Sequence, residues 1–198
     1  MTPQTVRSVT NRPSTRWRCR LSVFATVAAM ATILFGRPMS AQVPAPPVPP
    51  RLVLALEARV QLGAPIEVGQ VPRGRRRIIP IIGGTFEGSG LKGTVVNNGA
   101  DWQIVRADGF AELDTRYLLR TDAGQLIYVQ NAGIRHAAPD VMQKLLAGEL
   151  VDPALVYFRT VPTFETSAPD LQWLTRSIFV GTGERYPTEV VMRFWRLE

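Results

Sequence analysis

Turn clusters recur at short intervals along most of this chain: Gly83-Gly84, Gly88-Ser89-Gly90, Asn97-Asn98-Gly99, Ala107-Asp108-Gly109 and Thr121-Asp122-Ala123-Gly124. Between them lie strand-length runs rich in β-branched and aromatic residues: 52–61, 75–82, 92–97, 101–107, 110–121, 126–134, 154–164, 171–180 and 189–197. This spacing is that of consecutive antiparallel hairpins. So many strands would leave exposed edges unless the sheet closes on itself. The expected fold class is therefore all-β: an antiparallel, closed or nearly closed β-barrel with one short capping helix. That helix is expected near 139–147, in APDVMQKLLAG, where Pro139 suits a first helical position, Gly148 suits a C-cap, and Val141, Met142, Leu145 and Leu146 form one apolar stripe.

The N-terminal segment has a different character. Five arginines and no acid occupy the first 20 residues, and the apolar run LSVFATVAAMATILFG follows at 21–36. The run is shorter than the roughly 20 residues that span a bilayer as a helix, and the polar break RPMSAQ comes next. This pattern predicts a signal peptide over 1–41, hence an exported, periplasmic or secreted protein. VPAPPVPP, at 43–50, reads as a Pro-rich linker spanning 42–51, because proline fixes φ and favours an extended tether. A single β-barrel domain is then expected over 52–198.

Removing the leader changes the electrostatics. The whole chain carries a formal charge of +7, but the leader holds six arginines, and without it 23 basic residues fall to 17 against 16 acidic. The nearly neutral remainder lacks the clustered positive field of a nucleic-acid or membrane-surface binder, so no nucleic-acid partner and no membrane partner are expected after leader removal. The one remaining cluster, Arg73 to Arg77 in PRGRRRIIP, reads as a solvated turn entering a strand. Cys19 leaves with the leader and His136 is the only histidine. Thiol nucleophiles, thiolate metal sites and arrangements needing two imidazoles are thereby excluded within one mature chain, and neither a cofactor nor a metal is expected. GSGLKG, at 88–93, matches a dinucleotide-binding pattern in letters, but no amphipathic helix follows, so its glycines are read as hairpin positions.

Several motifs in order carry a family resemblance: RRRIIPIIGGTFEG, GADWQ, LDTRYLLRTDAG, VDPALVYFRTVPTFET and WLTRSIFVGTGER. Residues 52–198 resemble the family known as domain of unknown function 3237, or uncharacterised protein family 0311. Two departures stand out: Asn98 where a glycine is expected before GADW, and Thr175 where Asn is expected after WL. The resemblance implies a barrel near the allene oxide cyclase and dirigent types, and no assigned reaction.

Candidate site residues follow from the strand period of two. In VYFRTVPTFET, at 156–166, Tyr157, Arg159, Val161, Thr163 and Glu165 share one face, opposite Phe158, Thr160, Pro162 and Phe164. A guanidinium in a segment built to be buried needs a partner. Arg159 either braces the wall against Asp114, Asp101 or Glu165, or clamps a bound anion. In LDTRYLLRT, Asp114 and Arg116 fall on one face and Tyr117 on the other. A catalytic set would use Asp114 or Glu165 as base and Tyr117 as acid. Arg159, Arg116, Asp101 and Asn131 would bind ligand, with Trp102 and Trp173 as flat walls. Such groups suit isomerase, cyclase or lyase chemistry without a cofactor on a small apolar substrate. Whether the protein is an enzyme stays open: a carrier of a hydrophobic acid or aromatic needs only the pocket, and an interaction barrel, including a homo-oligomer, needs neither.

Overall fold

A computed structural model describes residues 48–198. The expected signal peptide and most of the Pro-rich linker lie outside the described residues. Ten strands follow in order: β1 (Leu52–Leu62), β2 (Ile66–Val71), β3 (Gly74–Gly88), β4 (Leu91–Val95), β5 (Gly99–Val105), β6 (Ala111–Thr121), β7 (Leu126–His136), β8 (Tyr157–Glu165), β9 (Phe179–Arg185) and β10 (Glu189–Leu197). One helix, α1 (Pro139–Leu146), joins β7 to β8. Every pairing is antiparallel, and β1 pairs with both β10 and β3. That double pairing closes the sheet. β4 and β5 both bridge β3 and β6, and β1 and β2 both lie along β3, so the ten segments fill eight positions around a closed barrel.

The sequence differs from the structure in three places. Gly83-Gly84, read as a turn, lies inside the 15-residue β3. Both glycines have positive φ, and a Cβ on Gly84 would lie 2.0 Å from the Arg59 carbonyl oxygen. Pairing slips here so that Gln61 opposes Gly83 and Leu62 opposes Ile81, which makes Ile82 a bulge. The pair therefore bends a continuous strand where the barrel closes. Residues 171–180, read as a strand, begin as a 3₁₀ turn (Pro169–Leu174) that buries Leu171 and Leu174, and β9 starts only at Phe179. Pro169 at its first position and the Gln172 amide, which donates to the carbonyls of Thr166 and Ala168, set the turn. Thr175 ends it by donating its hydroxyl to the Gln172 carbonyl. Finally β2, which lies mostly exposed along β3, has no matching strand in the sequence reading. GSGLKG forms a hairpin turn, with Ser89 and Gly90 at φ 47 and 76, the double positive φ of a type I′ turn.

Side chains pointing inward divide the barrel along its axis. Toward one end Leu119 of β6, Ile127 and Val129 of β7, Phe164 of β8, Phe179 of β9 and Phe194 of β10 are nearly inaccessible. Phe164 meets Phe179 and Phe194 edge-on at centroid distances of 5.0 and 5.6 Å. The 3₁₀ turn of 169–174 packs against this cluster through Leu171 and Leu174. This half is solid. The same strands carry polar side chains in the other half, below the C-terminal end of α1.

Candidate functional site

A cavity of about 280 Å³ occupies that second half. Alternation along each strand decides what enters it. β3 contributes Arg77, Ile79 and Ile81; β5 contributes Asp101 and Gln103; β6 contributes Thr115 and Tyr117; β7 contributes Asn131 and Arg135. Val60 and Leu62 of β1, Phe158 and Thr160 of β8, Arg185 of β9 and Val190 and Met192 of β10 also line the cavity, as do Leu145 and Leu146 of α1 and Ala147 and Gly148 just beyond that helix. Gly183 of β9 makes room for the Phe158 ring, since a Cβ there would come within 2.5 Å of it.

A short relay runs through the polar wall. Arg77 Nε donates to Gln103 Oε1 at 2.8 Å, and Gln103 Nε2 donates to Asp101 Oδ2 at 2.5 Å. Beyond it, partners run out. Asp101 Oδ1, Tyr117 Oη, Asn131 Oδ1, Thr160 Oγ1 and both Nε and Nη2 of Arg135 are buried without a hydrogen-bond partner. Each such group forfeits roughly 1–3 kcal/mol relative to a satisfied one, and native interiors hold few of them. Here all of them belong to residues lining one cavity.

Burial also shifts the titrations. Asp101 is pushed above the ordinary carboxylate range by desolvation, and Gln103, the positive charge of Arg135 and Thr115 draw it part of the way back. Burial raises the Tyr117 phenol, which stays protonated. Arg135 is brought down to about 10, first by burial and then by the like charge of Arg77, and so keeps its charge at neutral pH. Arg77 and Arg185 are lowered for the same reason, burial leading in both. Among the described residues no three His, Cys, Asp or Glu side chains come together as a metal ion requires.

Of the residues proposed from the sequence, Asp101, Tyr117 and Asn131 meet in the cavity. The others lie elsewhere. Asp114 and Arg116 pair with each other at 3.2 Å on the outer wall, both nearly half exposed. Arg159 is exposed, donates to the Phe158 carbonyl at 2.9 Å and sits 5.1 Å over the Tyr157 ring. The segment 156–166 is thus buried on one face only, and its guanidinium belongs to the other. Glu165 is exposed on that outer face, and Trp102 is 37% exposed. Trp173 packs on Phe179 at the solid end, with Arg196 over its ring. The cavity instead uses Arg77, Arg135, Arg185, Gln103 and Thr160. Arg77 had been read as part of a solvated turn. The turn is solvated at Arg73 and at Arg75, which pairs with Glu67, but Arg77 lies in phase with Ile79 and Ile81 and follows them inward. That phase is the signal that could have found it.

Fold and site together define a closed antiparallel barrel, half solid and half hollow, with a polar-lined interior. Residues 50–197 match the model of the family described as protein of unknown function (DUF3237). A UPF0311 protein of Rhodopseudomonas palustris (strain TIE-1) is 44% identical over 147 residues, covering 74% of this chain and 95% of the relative. Another, from Clostridium acetobutylicum, is 42% identical over 139 residues, covering 70% and 88%. The chain belongs to the DUF3237 (UPF0311) family. Among solved structures, a β-barrel-like protein of Acinetobacter baumannii is 45% identical with a TM-score of 0.68, over 77% of this chain and 99% of that one. A protein of unknown function from R. palustris reaches a TM-score of 0.73 at 38% identity, over 77% and 99%. The barrel fold is also shared, at 21% identity and a TM-score of 0.58, with an enzyme from Penicillium herquei, over 79% of this chain and 100% of that one.

Proposed function

We propose that this protein binds a small, largely apolar molecule inside the barrel. One observation carries the reading: unpaired buried polar atoms from β5, β6, β7 and β8 all belong to residues around one cavity. A bound molecule would supply the missing partners, as in pockets that are mostly apolar with a few convergent polar groups. Ile79, Ile81, Phe158, Met192 and Leu145 belong to the apolar part of the wall. The reading includes export, supported by the arginine-rich, then apolar, N-terminal segment.

The test is a methyl-labelled NMR titration of the full chain with a library of small apolar compounds. Ligand binding should shift the signals of Ile79, Ile81, Leu145 and Met192 and leave those of Leu119 and Ile127 in place. A library that moves none of the cavity methyls defeats the proposal.

Asp101 favours a catalytic version over a simple carrier. It is the one carboxylate on the cavity wall, with one oxygen unpaired and a raised pKa, which suits a group that takes and returns a proton. The chemistry is then a cofactor-independent isomerisation, cyclisation or elimination, with Asp101 moving the proton and Tyr117 donating a hydrogen bond. In heavy water a bound C–H acid should exchange its acidic hydrogen in the wild type and not in Asp101→Asn. Equal exchange in both would leave the carrier.

A further inference from the structure

Resting on the reading of the cavity as a ligand site, the composition of its wall specifies the ligand's charge. The strong bases and acids lining it are three arginines, Arg77, Arg135 and Arg185, and one carboxylate, Asp101. Their other contacts do not redress this balance. Arg77 donates to a neutral amide, Gln103, and Arg185 donates Nη1 to the Glu189 backbone carbonyl at 3.2 Å. Glu67, the acid nearest Arg77 from the neighbouring β2, is held by both Nε and Nη2 of Arg75. Arg135 is 1% exposed, its guanidinium lies 5.7 Å from the Phe158 ring centre, and Nε and Nη2 have no acceptor.

A buried guanidinium is expensive unless it is paired and hydrogen-bonded. Asp101 can offset at most one of the three charges, so the interior keeps an excess of at least two. The Arg135 fork, with two donors free, has the geometry that takes a carboxylate through two parallel hydrogen bonds. The space is far larger than an inorganic ion and close to the lower end of organic-ligand pockets, about 300–1,000 Å³. We propose that the ligand is a small organic acid, its carboxylate held by Arg135 in the field of Arg77 and Arg185 and its apolar body against Ile79, Ile81, Phe158 and Met192. A monoacid lowers that excess by one and a diacid by two. Both are favoured over a neutral molecule of the same shape, and a cation is excluded.

The experiment compares acids with their uncharged isosteres: benzoate with benzamide, cyclohexanecarboxylate with its amide, and hexanoate with hexanamide, titrated calorimetrically into the full chain at neutral pH. Each acid that binds should do so at least about tenfold more tightly than its amide, since a charge-assisted hydrogen bond contributes about 1.5–3 kcal/mol and 1.4 kcal/mol is a factor of ten. In Arg135→Met the preference should collapse to within about twofold, leaving the amide's affinity little changed. Arg135→Lys keeps the charge without the fork, should retain part of the preference, and serves if the Met variant does not fold.

Amides that match their acids, or a preference that survives Arg135→Met, overturn the proposal and leave the cavity a ligand site. Inorganic phosphate binding as tightly as the acids overturns it in favour of a free inorganic anion. If neutral apolar compounds bind in the cavity and no acid does, the charge inference alone fails. If nothing binds there, the underlying ligand reading fails with it.

Discussion

Arg135 and Arg159 carry the same side chain on adjacent strands and meet opposite environments. Arg159 opposes Ile134, one position from Arg135, so the pleat sends one guanidinium inward and the other out. Outside, Arg159 rests on Tyr157 and needs no acid; inside, Arg135 has two donors idle. Asp101 shows the counterpart for a carboxyl. Burial lifts its pKa above the ordinary 3.8, so folding favours the protonated form. Its contribution to stability is fully present below the unfolded value and is lost as pH rises through the higher folded value. The acids Glu67, Glu112, Glu184 and Glu198, all outside the cavity, shift the other way, each held down first by a hydrogen bond from arginine. Their effect cancels in a difference between variants. Urea unfolding of wild type and Asp101→Asn across this range should show the mutant gaining relative stability as pH climbs above 3.8. A pH-independent difference would mean that Asp101 does not titrate abnormally.

Individual strands and turns show where a linear reading succeeds. Runs flanked by proline, aspartate or glycine gave β1, β6, β7 and β10 nearly to the residue, and the Pro139 and Gly148 signals gave α1, because local turn chemistry decides those boundaries. Gly83-Gly84 failed as a turn for a non-local reason. Gly84 is required by the Arg59 carbonyl on a strand more than 20 residues earlier, and no local pattern reveals that approach. Gly84→Ala tests this account. At φ 131, with a Cβ only 2.0 Å from the Arg59 oxygen, the substitution must strain the backbone or part β1 from β3. A loss of at least about 1–3 kcal/mol is expected from the denaturation midpoint. Gly124→Ala is the control: it also has positive φ, 83, but nothing lies within 4 Å of a Cβ there. Similar losses in both would put the cost in φ alone rather than in barrel closure.

For the molecule as a whole, closure and the division into a solid and a hollow half set what could be read in advance. The barrel was legible because turn clusters cut the chain into strand-length runs too many to leave with open edges. The site was legible only in part, as Asp101, Tyr117 and Asn131, since which of two faces turns inward depends on how eight positions join in a ring. Charge misleads here: Asp114, Arg116, Arg159 and Glu165 draw attention by being polar, and a polar outer wall is what solvent asks for. Closure also brings residues 51 and 198 together. Arg51 and Glu198 exchange both backbone hydrogen bonds, at 2.8 and 2.9 Å, and add an ion pair at 3.0 Å. From that clasp β1 and β10 run side by side to Gln61 and Glu189. A load pulling residue 51 away from residue 198 therefore falls on one pair of hydrogen bonds at a time, as on the teeth of a zip, while a load between residues 63 and 198 is shared along the whole ladder. In single-molecule stretching the first attachment should open the barrel at distinctly lower force than the second, which makes the clasp its mechanically weakest seam although it is fully bonded at rest.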